Sequence, residues 1–117
     1  MLWAILYHDS FVPELDALPE EAKDGVLAMG ELLMRSGPTL GRPHVDTLAG
    51  SRHPNMKEMR FNTADGAWRI AFAFDPKRRA IILVGGDKAG VAQRRFYKAL
   101  ITKADARFDE HLDSLKG

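Results

Sequence analysis

The chain has 117 residues and an apolar fraction of 45%, which predicts one compact domain over residues 1–117 and argues against disorder. It contains no cysteine, which excludes disulfides, thiolate metal sites and a cysteine nucleophile, and this fits a reducing cytoplasm. Residues 1–34 carry seven acidic residues against one basic residue, whereas residues 52–103 carry twelve basic residues against four acidic ones. The basic part indicates a surface for a polyanion, although chance clustering of solvated charges would give the same pattern.

The first third of the chain predicts one strand and two helices. Residues 2–7, LWAILY, form an apolar run that suits a buried strand and is too short for a signal peptide or a membrane span. Asp9 or Ser10 can cap a short helix that follows this strand. Pro19 suits the first turn of a second helix, and Gly37 ends it. The two helices are expected to form an acidic helical hairpin.

The remainder predicts a loop, three strands and a final helix. Residues 38–54 contain three prolines and are expected to form a loop. Residues 57–75 predict a β-hairpin, and residues 80–86, AIILVGG, predict a strand that is buried on both faces and therefore central. Apolar residues then recur every four positions, which predicts a helix over residues 90–115. The expected order of elements is β-α-α-β-β-β-α.

The hairpin divides into two faces if Asp65 and Gly66 are its two loop residues. That turn places Arg60 opposite Ala71, and successive residues of each strand then point to opposite faces. One face is apolar and carries Met59, Phe61, Trp68, Ile70, Phe72 and Phe74. The other face is polar or small and carries Glu58, Arg60, Asn62, Arg69, Ala71 and Ala73.

The polar face brings Arg60 and Arg69 close together. Two neighbouring guanidinium groups repel each other unless an acid or an anionic ligand lies between them. One interpretation is that Glu58 and a loop acid neutralise them. The other is an anion site, in which Ala71 and Ala73 leave space above the sheet.

Two runs of sequence carry a resemblance to a known family. They are GRPHVDTLAGSRHPNMKEMRFNTADGAWRIAFAFDPKRRAIILVGGDKAG and, shortly after it, RRFYKALI. The chain resembles, over essentially its whole length, the HigB-like, phage-derived branch of the RelE/ParE toxin superfamily. The resemblance implies the RelE-like α+β fold, with a small, mostly antiparallel sheet, a helical hairpin and a C-terminal helix.

The resemblance also implies an activity, which is that of a toxin from a bacterial type II toxin–antitoxin pair. RelE-like members cut mRNA in the ribosomal A site without metal or cofactor, because the ribose 2′-hydroxyl attacks the adjacent phosphate. Such a reaction needs cations at the phosphate, a base for the hydroxyl and an acid for the leaving oxygen. The alternatives are a non-nucleolytic inhibitor of DNA gyrase, as in the ParE branch, and an inactive toxin that still binds its antitoxin.

The resemblance assigns roles to individual residues by position. Arg69 matches the strand arginine that binds phosphate, and Arg60 matches a cationic residue on the preceding strand. Glu58 departs from the basic pattern of the family, and is either a general base or the partner that holds Arg60. Lys57 at the start of the strand and Tyr97 near the start of the last helix complete the catalytic candidates; Tyr97 could equally stack on a base or pack. The residues expected to bind RNA or phosphate are Lys88, Arg94, Arg95 and Lys98.

The implied partners are a helix-turn-helix antitoxin, the ribosome and mRNA, with operator DNA bound indirectly through the antitoxin and no membrane contact. Metal binding is not expected, because the four histidines lack the i, i+4 spacing of a zinc site. The run GGDKAG lacks the spacing of a phosphate-binding P-loop. His44 and His53 lie in the proline-rich loop, where a surface position is a simpler interpretation than an acid–base role.

Overall fold

The computed structural model describes residues 2–116, which form a five-stranded sheet with helices on both faces. Its elements are β1 (Ala4–Tyr7), α1 (Phe11–Asp16), α2 (Glu20–Ser36), a 3-10 turn (Gly37–Thr39), β2 (Val45–Thr47), β3 (Lys57–Asn62), β4 (Ala67–Phe74), β5 (Arg79–Asp87) and α3 (Gln93–Ser114). The strand order is β1-β5-β4-β3-β2, with β1 parallel to β5 and all other neighbours antiparallel. The predicted α+β class and mostly antiparallel sheet are confirmed. Between residues 2 and 116, no helix has both the length and the apolar character needed to cross a membrane.

The helical hairpin of α1 and α2 covers one face of the sheet. Its apolar residues, including Phe11, Val26 and Leu33, pack against Ile70 and Phe72 of β4. Strand β5 lies between β1 and β4 and is almost fully buried over its first half, which confirms the prediction of a central strand.

Helix α3 covers the other face of the sheet. Its residues Phe96, Leu100 and Phe108 pack in one cluster with Ala71 and Ala73, both of which are fully buried. The expectation that these two alanines leave open space above the sheet is therefore wrong. Their small side chains instead let a helix approach the strands closely, since a core excludes voids.

The proline-rich segment contains a strand that the sequence analysis missed. Val45 pairs with Met59 and Thr47 pairs with Lys57, so β2 extends the sheet beyond β3. A three-residue strand is too short to show the period-two alternation by which strands are recognised.

The hairpin of β3 and β4 turns one residue earlier than predicted. Thr63 and Gly66 exchange backbone hydrogen bonds of 3.0 and 3.4 Å, so Ala64 and Asp65 are the loop residues. The predicted register is therefore wrong by two residues, and Arg60 lies opposite Arg69. A shift of two residues leaves every side chain on its predicted face, because the side-chain period of a strand is two.

Candidate functional site

A cleft of about 740 Å³ opens between β2, β3 and the N-terminal part of α3. Strand β3 contributes Glu58 and Arg60 to its lining, and α3 contributes Arg94, Tyr97 and Lys98. Tyr97 and Lys98 lie on the same side of the helix as Arg94 because they follow it by three and four positions. Strand β3 and α3, which are distant in the chain, therefore contribute three cations, one carboxylate and one phenol to the cleft.

Glu58 lies at the inner end of this cleft and is only 4% exposed. Its Oε1 atom accepts hydrogen bonds from Arg60 Nε at 3.0 Å and from the Tyr97 hydroxyl at 2.9 Å. Arg69 Nε lies 3.6 Å from the same oxygen. A buried carboxylate requires such partners, because removing its charge from water without compensation is costly. The interpretation of Glu58 as the partner that holds Arg60 is the one that the geometry favours.

The two opposed arginines differ in exposure. The side chain of Arg60 is 39% exposed, whereas that of Arg69 is 11% exposed. Burial lowers the pKa of Arg60, but the nearby Tyr97 and Glu58 outweigh that effect and the pKa is raised overall. Arg60 is thus a permanent cation that faces solvent in the cleft.

Arg69 lies next to Arg60 on the neighbouring strand β4. Its Nη1 atom donates a 2.8 Å hydrogen bond to the carbonyl oxygen of Trp68, and its buried Nε atom has no hydrogen-bond partner among residues 2–116. Arg60 and Arg69 also line a second hollow of about 510 Å³, together with His44 and Asn62. A buried cation this close to Glu58 helps to balance the carboxylate charge.

The nine residues that the sequence analysis selected do not all lie in the cleft. Five of them line the cleft: Glu58, Arg60, Arg94, Tyr97 and Lys98. Arg69 approaches Glu58 from β4, as described above. Arg95 lies in a different hollow with Phe96 and Lys103, next to the end of β5. Lys57 pairs with Phe72 on the other face of the hairpin, and Lys88 follows β5; neither lines the cleft in the described part of the chain.

Three polar residues of the cleft were not selected from the sequence: Gln93, Asp46 and Thr47. Gln93 lines the cleft and lies four positions before Tyr97, a helical spacing that could have identified it. Asp46 also lines the cleft and forms a 2.9 Å ion pair with Arg42. A hydrogen bond from the Thr47 backbone N–H, aided by Arg42, lowers the pKa of Asp46. No sequence signal could have placed Asp46 here, because β2 was not recognised.

The sheet and helices define the class of the protein, which is the RelE fold. The structure matches that of a mutant of the E. coli toxin RelE in the free state with a TM-score of 0.63, covering 88% of this chain and 97% of that chain. At 10% sequence identity this likeness concerns the fold alone.

The family follows from sequence comparison. Residues 13–109 match the model of the phage-derived Gp49-like proteins, and the chain belongs to that family. It is 48% identical over 101 residues to HigB3, a candidate toxin of Mycobacterium tuberculosis. The aligned region covers 86% of this chain and 86% of HigB3. It is also 48% identical over 99 residues to the candidate toxin HigB2 of the same organism, covering 84% of this chain but 49% of HigB2. The predicted membership of the HigB-like branch of the RelE/ParE superfamily is confirmed.

Proposed function

We propose that this protein is the toxin of a type II toxin–antitoxin pair and acts as a metal-independent endonuclease on ribosome-bound mRNA. Its relatives HigB2 and HigB3 are named as candidate toxins, and it shares the fold of RelE. The observation that carries the proposal is the convergence of Arg60, Arg69 and Tyr97 on the single Oε1 atom of Glu58 in an open cleft.

The cations of the cleft suit the backbone of a single RNA strand. Arg94 and Lys98 are exposed, and neither forms an ion pair with any residue between 2 and 116. Phosphate contacts of this kind supply affinity and position the strand. In this proposal Arg60, which is the least exposed of the three cations and contacts buried Glu58, binds the phosphate at which the chain is cut.

The proposed reaction is an internal transesterification. The 2′-oxygen forms a bond to phosphorus and loses its proton, while the bond from phosphorus to the 5′-oxygen breaks and that oxygen gains a proton. The products are a 2′,3′-cyclic phosphate and a 5′-hydroxyl. Arg60 stabilises the additional negative charge on the phosphate oxygens in the transition state.

Tyr97 is the group that we assign to proton transfer. Its hydroxyl is fixed by Glu58 at 2.9 Å and opens onto the cleft beside Arg60. A positioned acid–base group typically contributes a factor of about 10²–10⁴ to such a reaction. Glu58 is buried and its Oε1 atom is already bonded to Arg60 and Tyr97, so we assign it a positioning role rather than that of a general base.

The proposal includes the partners of a toxin. We expect a helix-turn-helix antitoxin encoded by an adjacent gene, and through it an indirect contact with operator DNA. We place the activity in the cytoplasm, where mRNA and ribosomes meet. Relief of growth arrest when the adjacent gene is co-expressed would support this partner, and persistence of the arrest would contradict it.

The activity can be tested by inducing the protein in a bacterial host and mapping mRNA 5′ ends. We expect new ends within translated codons for the wild-type protein and none for Arg60→Ala. Growth arrest with intact mRNA and a DNA-damage response would indicate a gyrase inhibitor instead. Harmless overexpression would indicate an inactive toxin.

A further inference from the structure

The loop between β2 and β3 is fastened to α3 by two aspartates. Asp105 is 5% exposed and accepts hydrogen bonds from the Ser51 hydroxyl and, at 3.2 Å, from the Arg52 backbone N–H. Asp109 accepts a 2.8 Å hydrogen bond from His53 Nε2 and forms an ion pair with the Arg52 guanidinium. Three consecutive loop residues are therefore bonded to two carboxylates one helical turn apart.

One face of α3 both bonds to the loop between β2 and β3 and lines part of the cleft. Tyr97, Ile101, Asp105 and Asp109 recur every four positions, so they lie in one row along the helix. Asp105 occupies a buried place in this row, where a carboxylate is unfavourable unless it is hydrogen-bonded. The loop residues that bond to it remove that penalty, so the loop and the helix hold each other in place.

The fastened loop forms one wall of the cleft. Leu48 and Ala49 line the cleft together with Ile101, which follows Tyr97 by one turn, about 6 Å along the helix axis. Gly50 adopts a φ of +100°, a conformation that favours glycine. A Cβ atom there would lie 3.2 Å from the Ile101 side chain, so the loop backbone passes close to Ile101 at this point. The part of the cleft that Leu48, Ala49 and Ile101 line is thus apolar, whereas Asp46 and Thr47 of the same segment add polar groups to the lining.

We propose that Ala49 and Ile101 form a subsite for the nucleobase next to the bond that is cut, and that Asp105 and Asp109 position its wall. This inference rests on the proposed function. A nucleotide presents a charged phosphate and an apolar base face side by side, and the cleft presents Arg60 and Tyr97 beside an apolar wall. Contacts to the base are made before and during the reaction, so they contribute to KM rather than to kcat.

The test is steady-state cleavage of mRNA on programmed ribosomes by the purified protein, combined with hydrogen exchange of residues 48–56. The variants are Asp105→Asn, Ser51→Ala and Ile101→Ala, with Asp113→Asn as the control. Asp113 lies on the same helix but is exposed, and its carboxylate forms a 3.6 Å ion pair with Lys116, which is also exposed. We expect the first three variants to raise KM by about three- to tenfold with kcat within about twofold. Asp105→Asn and Ser51→Ala should also speed exchange in residues 48–56, whereas Ile101→Ala should not.

The outcomes separate this inference from the proposed function. An unchanged KM for Asp105→Asn and Ile101→Ala, with a wild-type protein that cleaves, overturns the subsite and leaves the endonuclease intact. A raised KM for Ile101→Ala with unchanged KM and exchange for Asp105→Asn overturns the positioning role. A wild-type protein that cuts no mRNA overturns both the endonuclease and the subsite.

Discussion

The Tyr97 hydroxyl donates a 2.9 Å hydrogen bond to the Oε1 atom of Glu58, which lies 39 residues earlier in the chain. This bond ties α3 to β3 at the point where Arg60 also reaches the carboxylate. The proposed proton-transfer group and the proposed phosphate-binding group are therefore oriented by one oxygen atom.

Replacing Tyr97 with Phe should lower kcat for mRNA cleavage by about 10²-fold or more, because the variant keeps the ring but lacks the ionisable hydroxyl. The melting temperature should fall only modestly, because Glu58 loses the bond from Tyr97 but keeps the one from Arg60. The matched control is Tyr7→Phe, which removes a hydroxyl from the opposite side of the molecule. Full activity of Tyr97→Phe would remove this residue from the chemistry.

Replacing Arg60 with Ala should abolish detectable cleavage, because among residues 2–116 it is the one cation near Glu58 that also lines the cleft. Arg60→Lys should recover only part of the rate, since a lysine keeps the charge but not the planar, multiple donors of a guanidinium. Arg35→Ala, which removes an exposed arginine from α2, serves as the control. Wild-type rates in Arg60→Ala would contradict the proposed role.

Replacing Glu58 with Ala should lower the free energy of unfolding by about 3 kcal/mol or more. The reason is that Arg60 and Arg69, which lie directly opposite each other, would lose the anion between them. Urea unfolding measures the loss, and Glu31→Ala on the exposed surface of α2 should be neutral within about 0.5 kcal/mol. A loss for Glu58→Ala as small as that of the control would mean that the carboxylate does not hold the two arginines.

Asp75 should make stability depend on pH in the acid range. Its side chain is fully buried and accepts hydrogen bonds from the Lys77 and Arg79 backbone N–H groups, the Arg79 side chain and His111. Burial raises the pKa of Asp75, but the bonds from His111 and Arg79 outweigh it, so the pKa lies below the ordinary 3.8. A carboxylate whose pKa is lower in the folded state stabilises the fold at pH values above its unfolded-state pKa. That stabilisation is lost as the pH falls through the folded-state pKa.

Asp75→Asn should therefore be less stable than the wild type by about 2 kcal/mol at neutral pH, and the difference should shrink as the pH falls below about 4. Urea unfolding between pH 7 and pH 2.5 checks this dependence. Asp113→Asn, which changes an exposed carboxylate, should show no comparable trend. A difference for Asp75→Asn that stays constant down to pH 2.5 would contradict the assignment.

The two faces of the hairpin could be predicted from sequence, because successive side chains of a strand point to opposite faces. The predicted turn residues were wrong: Asp65 and Gly66 were expected to form the loop, but Gly66 pairs with Thr63 and closes the turn instead. The error of two residues in register preserved the common face of Arg60 and Arg69. The prediction of the loop residues was therefore wrong, whereas the assignment of side chains to the two faces was correct.

The site itself could be predicted only in part. Helical spacing places Lys98 four residues after Arg94 and turns Arg95 to another side, so the separation of these cations was available from the sequence. The contact between Tyr97 and Glu58 was not available, because it depends on how closely α3 packs on Ala71 and Ala73. Long-range packing of this kind has no local signature in a single sequence.

The most direct test of the account is cleavage of mRNA on purified ribosomes by the purified protein, in the presence of a metal chelator that spares the ribosome's magnesium, with analysis of the new RNA ends. The account predicts cuts within codons that carry a 2′,3′-cyclic phosphate and a 5′-hydroxyl, made by the wild type and by Tyr7→Phe but not by Tyr97→Phe or Arg60→Ala. Intact mRNA with the wild-type protein, or equal cutting by Tyr97→Phe and Arg60→Ala, would contradict it.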